Sequence, residues 1–150
     1  MGNYLAKEIG EIQLLDALDL FEDDHLISSL TLAGAAEEIF GKMPPEKRSI
    51  AFQQNGNFPN IFEVFSARLS DEHNVDLKQI RKEMNKARNI AKHYISDYAE
   101  KDGTFKISQS AVESMLIRCI TQYSFVVNQE TAPKPLIKKI GRFLRKVIPQ

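Results

Sequence analysis

The chain contains one cysteine, Cys119, among its 150 residues, and it contains no tryptophan. A single thiol excludes an intrachain disulfide framework and a cysteine-based metal site. The residues around it read LIRCI, so we predict that Cys119 is a small buried core residue. The N-terminus, MGNYLAKEIGEI, lacks the apolar region of a secretory signal. Together these features lead us to expect a cytoplasmic protein.

Long apolar runs are also lacking, because none approaches the roughly 18 residues that a membrane-spanning helix needs. We therefore expect no membrane span. The sequence has no cluster of metal ligands, no glycine-rich phosphate loop and no serine triad motif. We expect neither a metal nor a cofactor. Its composition, 43% hydrophobic and 27% charged, is ordinary for a soluble globular protein.

The formal net charge is zero, but the charges are unevenly distributed along the chain. Residues 1–130 contain 14 basic and 20 acidic side chains, a net charge of −6, whereas residues 131–150 contain six basic side chains and no acidic one. The segment TAPKP (131–135) is a stiff break between the two parts. We predict a helical bundle over residues 1–130, followed by a proline-containing linker and a basic amphipathic helix over residues 131–150.

Apolar residues recur at spacings of three and four almost throughout, which predicts an all-α bundle of four or five helices with a basic amphipathic C-terminal helix. The predicted N-cap residues are Asp24, Asn60, Asp76 and Ser110. The small residues at 33–36 predict close approach of another helix. The predicted helices cover approximately residues 4–22, 25–42, 61–69, 77–98, 110–127 and 136–148.

The helix predicted at 77–98 has a regular stripe of core positions on one side. At 100° per residue, Asn89 and His93 lie one turn apart on the side away from that stripe, and Arg88 and Lys92 lie beside them. The core positions are Leu77, Ile80, Met84, Ala87, Ala91, Tyr94 and Tyr98.

The four polar residues Arg88, Asn89, Lys92 and His93 have side-chain chemistry that suits RNA. An imidazole transfers protons near neutral pH, and a guanidinium binds phosphate through a fork of donors. Together they are a minimal set for metal-free cleavage of an RNA phosphodiester. The single histidine of this group supplies either an acid or a base, so a twofold dimer would bring two sets into one cleft. The alternatives are an ordinary solvated helix face and a face shared with another subunit.

The run RNIAKH (Arg88–His93), on a late helix of a small bundle, resembles the HEPN superfamily. The signature of that family is an arginine and a histidine separated by four to six residues, often with a polar residue after the arginine. The segment LAGAAEEIFGK (32–42) also resembles a segment of bacterial and phage HEPN-like proteins. The resemblance covers roughly residues 5–127. It implies an all-α bundle that dimerises.

The resemblance further implies a metal-independent endoribonuclease of the toxin–antitoxin, phage-defence or RNA-processing kind. Arg88 and His93 would be the catalytic pair, and Asn89 the polar neighbour. Lys92 is added from its position, as a substrate-binding residue with Asn89. The implied partners are a second copy of the chain, RNA or a nucleotide, and a nucleotidyltransferase-type antitoxin. Two alternatives remain open: a non-catalytic HEPN-like module that binds a nucleotide or a protein, and a plain helical interaction domain.

Two further features have open interpretations. No motif fixes Glu37 and Glu38, which we predict to lie on a solvated helix face. In the C-terminal helix all apolar residues fall on one side and all basic residues on the other. This helix could dock on the acidic body, contact RNA, enter the groove of a partner or adsorb to an anionic membrane.

Overall fold

The computed structural model describes residues 2–43, 76–92, 99–128 and 130–148. Five α-helices and no strand occur in these ranges, which confirms the predicted all-α fold. The predicted helix at 61–69 and the end of the predicted helix 77–98 lie outside the described residues. The five helices are α1 (Ala6–Glu22), α2 (Leu26–Gly41), α3 (Leu77–Lys92), α4 (Gln109–Ser124) and α5 (Lys134–Val147).

Of the described helices, α2 has the most extensive packing, which it makes against α1, α3 and α4. Small residues allow this close packing, as predicted: Ala33, Gly34 and Ala36 are all buried. On the α1 side, a Cβ at Gly10 would lie only 2.5 Å from Cε1 of Phe40. The ring of Phe40 can therefore lie directly against the α1 backbone.

The turn between α1 and α2 corrects the predicted N-cap at Asp24. His25 occupies the N-cap position of α2, and its side chain makes no capping hydrogen bond. Asp24 instead has a left-handed φ of 62°. The N–H groups of Asp24 and His25 donate to the carbonyl oxygens of Phe21 and Leu20, at 3.1 Å and 2.8 Å. This pattern closes a helix through a left-handed residue, so Asp24 ends α1 and does not open α2.

The N-caps of α3 and α4 give one confirmation and one correction. The Gln79 N–H donates to Oδ1 of Asp76 at 2.7 Å, as predicted. At α4 the cap is Ser108, not Ser110, and its Oγ accepts the Ala111 N–H at 3.1 Å. Both serines suit an N-cap, but Ser110 lies inside the first turn.

A buried hydrogen bond joins α1 to α4. The Tyr123 hydroxyl donates to Oε2 of Glu11 at 2.5 Å, and both residues are buried. Burial and the bond to Glu11 raise the pKa of Tyr123, so the phenol keeps its proton and remains a donor. The hydrogen bond gives the buried Glu11 carboxylate a partner, which it needs because burial removes it from water.

Helix α5 docks on α1, which is one of the four interpretations left open for it. Its buried residues Leu136 and Phe143 belong to the common core, and Phe143 meets Phe21 edge to face at 5.3 Å. The apolar face of α5 is therefore packed within the chain. Binding in a partner's groove and adsorption to a membrane would both require this face to be free. Within the described ranges, no helix combines the length and apolarity needed to cross a membrane.

Candidate functional site

The orientation of α3 follows the predicted stripe. Met84 and Ala87 are buried, and Ala91 packs partly buried against the same core. Arg88, Asn89 and Lys92 consequently remain partly exposed. His93 and the stripe positions Tyr94 and Tyr98 lie outside the described residues.

Arg88 does not extend into solvent but crosses onto α2. Its Nη1 lies 3.6 Å from Oε2 of Glu37 and 3.7 Å from Oε1 of Glu38. The aliphatic part of the side chain passes over Gly34, where a Cβ would lie 3.0 Å from Cδ of Arg88. The glycine in the small-residue run thus makes room for the arginine to reach α2.

Glu37 corrects the prediction of a solvated helix face. Its side chain is only 6% exposed, whereas that of Glu38 is 42% exposed. A buried carboxylate needs partners, and Glu37 has two arginines. One is Arg88, and the other is Arg118 of α4, whose Nε lies 3.0 Å from Oε1 of Glu37. The same carboxylate therefore joins α2 to both α3 and α4.

The two arginines are held with different tightness. Nε of Arg118 lies 3.0 Å from Oε1 of Glu37, whereas Nη1 of Arg88 lies 3.6 Å and 3.7 Å from its two carboxylates, so the ion pair of Arg118 is the closer one. In addition, Nε of Arg88 is buried and has no acceptor in the described part of the chain. The guanidinium of Arg88 is therefore positioned by charge while its donors are not saturated.

We call Glu37, Glu38, Arg88, Lys92 and Arg118 the Glu37 cluster. Lys92 completes it, with Nζ 3.8 Å from Oε2 of Glu38. Three cations and two carboxylates give the cluster a net charge of +1 when all five are ionised. The side chains of Arg88, Lys92 and Arg118 are 21%, 25% and 33% exposed. Such a partly exposed site with one excess positive charge is chemically suited to one phosphodiester anion.

The sequence patterns described above predict neither the burial of Glu37 nor the presence of Arg118 in the cluster. A charged residue inside an apolar run is the sequence feature that would have indicated both. Arg118 interrupts LIRCI between two buried residues, and Glu37 follows the small-residue run of α2. A charge in such a position needs a counter-charge from another helix.

Cys119 is fully buried, as predicted. Burial raises the pKa of its thiol, and the negative charge of Glu37 raises it further. Cys119 is therefore a thiol in the core and not a nucleophile of the Glu37 cluster. In the described ranges, no group of three or more histidine, cysteine, aspartate and glutamate side chains is arranged to hold a metal ion.

The chain was compared with protein-family models, with curated proteins and with solved structures, and none of them matches it.

Proposed function

We propose that the protein is a HEPN-like, metal-independent endoribonuclease of the toxin or defence type, acting in the cytoplasm at a cleft between two copies of the chain. The observation that supports this proposal is the placement of Arg88. Its side chain is 21% exposed, and its Nη1 lies 3.6 Å and 3.7 Å from two carboxylates, which are ion-pair distances and not hydrogen-bond distances. These are the properties of an arginine that can receive a phosphate without rebuilding its surroundings.

In the proposed reaction the ribose 2′-oxygen attacks the adjacent phosphorus while the bond from phosphorus to the 5′-oxygen breaks. The products are a 2′,3′-cyclic phosphate and a 5′-hydroxyl. The neutral imidazole of His93 in one copy accepts the proton of the 2′-hydroxyl, and the protonated imidazole of His93 in the second copy donates a proton to the leaving 5′-oxygen. Arg88 stabilises the charge on the phosphorane, and Asn89 and Lys92 orient the RNA.

The decisive experiment incubates RNA with the protein in the presence of a chelator and compares His93→Ala with wild type. We expect cutting to fall by about 10²- to 10⁴-fold, because general acid–base catalysis contributes roughly that much. His25→Ala is the matched control, since the His25 side chain is exposed and makes no capping bond. Equal cutting by the His93 variant, absent cutting by wild type, or cutting that requires a metal ion would reject the nuclease.

A second candidate function is a non-catalytic HEPN-like module that binds a nucleotide or a partner such as a nucleotidyltransferase-type antitoxin. The ion pairs of Arg88 with Glu37 and Glu38 favour it, because they give the arginine a structural task that needs no reaction. Binding of RNA or a nucleotide without any cutting would identify this module. Light scattering adds an independent check, since a strict monomer could not form the shared cleft.

A further inference from the structure

We infer that Arg118 is a second phosphate-binding arginine of the same site, and that Glu37 positions both guanidinium groups for one RNA phosphate. The inference rests on the proposed function, in which Arg88 contacts RNA. Its own evidence is the shared carboxylate, which lies 3.6 Å from Nη1 of Arg88 and 3.0 Å from Nε of Arg118.

The geometry at Arg118 leaves donors available for a ligand. A guanidinium has five N–H donors, and the ion pair with Glu37 is made at Nε. The side chain is 33% exposed, more than the 21% of Arg88, so its outer part faces solvent. Two arginines from different helices can then contact different oxygens of one phosphate, which a single arginine does less well.

The charges of the Glu37 cluster support the same ligand class. Without Arg118 the remaining two cations would only balance the two carboxylates, and the site would be neutral. With Arg118 the cluster has one excess positive charge, which one phosphodiester anion neutralises. The cation from α4 therefore supplies one of the three positive charges that outnumber the two carboxylates, and this excess favours an RNA phosphate.

The test measures binding of the full chain to a 2′-O-methyl oligoribonucleotide, which cannot be cut because its 2′-oxygen is blocked. For Arg118→Gln we expect an affinity loss of roughly 10- to 100-fold, as for a lost charge-assisted hydrogen bond. The slope of log affinity against log salt should fall by about 0.7, the value for one phosphate contact on a single strand. Arg118→Lys should restore the slope but only part of the affinity, because lysine lacks the planar fork.

Arg142→Gln is the matched control. Arg142 lies on α5, away from the Glu37 cluster, and also pairs with a carboxylate, that of Glu22, at 3.2 Å. It should bind RNA like wild type. If Arg118→Gln does not fold, Glu37→Gln is compared with the double variant Glu37→Gln/Arg118→Gln. The double variant neutralises Glu37 and Arg118 together, so neither is left without its partner. Relative to Glu37→Gln, it should show the same loss of salt slope.

The outcomes separate the inference from the proposed function. If Arg88→Gln weakens binding and the Arg118 variants do not, the second arginine is overturned and the proposed function stands. If neither arginine matters, or wild type does not bind the oligoribonucleotide, both are overturned. A loss shared by both arginines and absent from Arg142→Gln supports the inference.

Discussion

The two sides of the bundle hold their charged side chains in different surroundings. Lys139 and Arg142 of α5 meet Asp19 and Glu22 of α1, with side chains that are 25% to 52% exposed, and we call these four residues the α1–α5 pairs. In the Glu37 cluster, by contrast, a carboxylate that is 6% exposed lies between two arginines. Exposed ion pairs contribute little to stability, whereas a buried charge that loses its partner is costly. The α1–α5 pairs lie beside a helix contact that apolar residues make, whereas the Glu37 cluster is itself part of the contact between α2, α3 and α4.

The largest effect expected from this comparison is that of Glu37→Gln. It leaves two arginines facing a neutral amide, and we expect the free energy of unfolding to fall by about 2–3 kcal/mol. This is less than for a fully buried pair because both arginines are partly exposed. Urea unfolding at pH 7 measures the change.

Glu38→Gln is the control for that variant, since Glu38 is adjacent and its distance to the same Arg88 nitrogen is nearly the same, 3.7 Å against 3.6 Å. Because its side chain is 42% exposed, the expected cost is below about 1 kcal/mol. Equal costs for the two glutamates would mean that burial does not distinguish the two sides of the bundle.

A smaller effect on stability, with a larger one on function, is expected for Gly34→Ala. The new Cβ would lie 3.0 Å from Cδ of Arg88 and must displace that side chain by a few tenths of an ångström. Alanine in a helix gains roughly 1 kcal/mol over glycine, which offsets the crowding. We expect an unchanged urea midpoint. If Arg88 acts as proposed, RNA binding and cutting should fall by about 10-fold, because small misplacements of a group that contacts the reacting phosphate are costly.

Gly41→Ala is the matched control on the same helix. A Cβ there would lie 3.7 Å from both Cδ of Gln122 and Oε1 of Glu37, which is ordinary van der Waals contact and displaces neither side chain. It should leave RNA binding unchanged. Normal cutting by Gly34→Ala would show that Arg88 need not lie close to α2.

The smallest effect is expected in the α1–α5 pairs and depends on pH. The hydrogen bond to Asp19 raises the pKa of Lys139 above its ordinary value of 10.5. The stability gained from this pairing is fully present below 10.5, the unfolded value, and is lost as the pH rises through the raised folded value. The difference in urea midpoint between wild type and Lys139→Met should therefore be small at pH 7 and vanish at higher pH.

High salt should also reduce that difference at pH 7, because exposed pairs are screened. Lys138→Met is the control, since the side chain of Lys138 is exposed on the outer side of α5. A difference that persists above the raised pKa would assign the effect of Lys139 to packing of its methylene groups.

The periodicity of the sequence predicts the helices and their faces well, because burial of an apolar stripe decides both. Met84 and Ala87 are core residues for that reason, and α5 docks through its apolar side. Asp76 is also predictable, since its cap needs only residues of its own helix. Local patterns fail where two of them compete, as at Asp24, whose left-handed backbone closes α1 before a cap for α2 can form.

The Glu37 cluster is predictable only in part. The arginine of RNIAKH stands out as a motif, but two adjacent glutamates look alike in the sequence. Which of them is buried depends on where α2 meets α3 and α4, and on an arginine that reaches Glu37 from a different helix. Tertiary packing, not local propensity, decides that choice.

The hydrogen bond between Glu11 and Tyr123 also has a consequence for synthesis, because its partners are 112 residues apart. At about 5–20 residues per second, a ribosome makes Tyr123 roughly 6–22 seconds after Glu11. The hairpin of α1 and α2 is complete long before then, yet its inward carboxylate still lacks a donor. In a chain that ends before Tyr123, the Glu11 carboxylate would have no tyrosine hydroxyl to bind. Exposure of that carboxylate to water would then be more favourable than its burial.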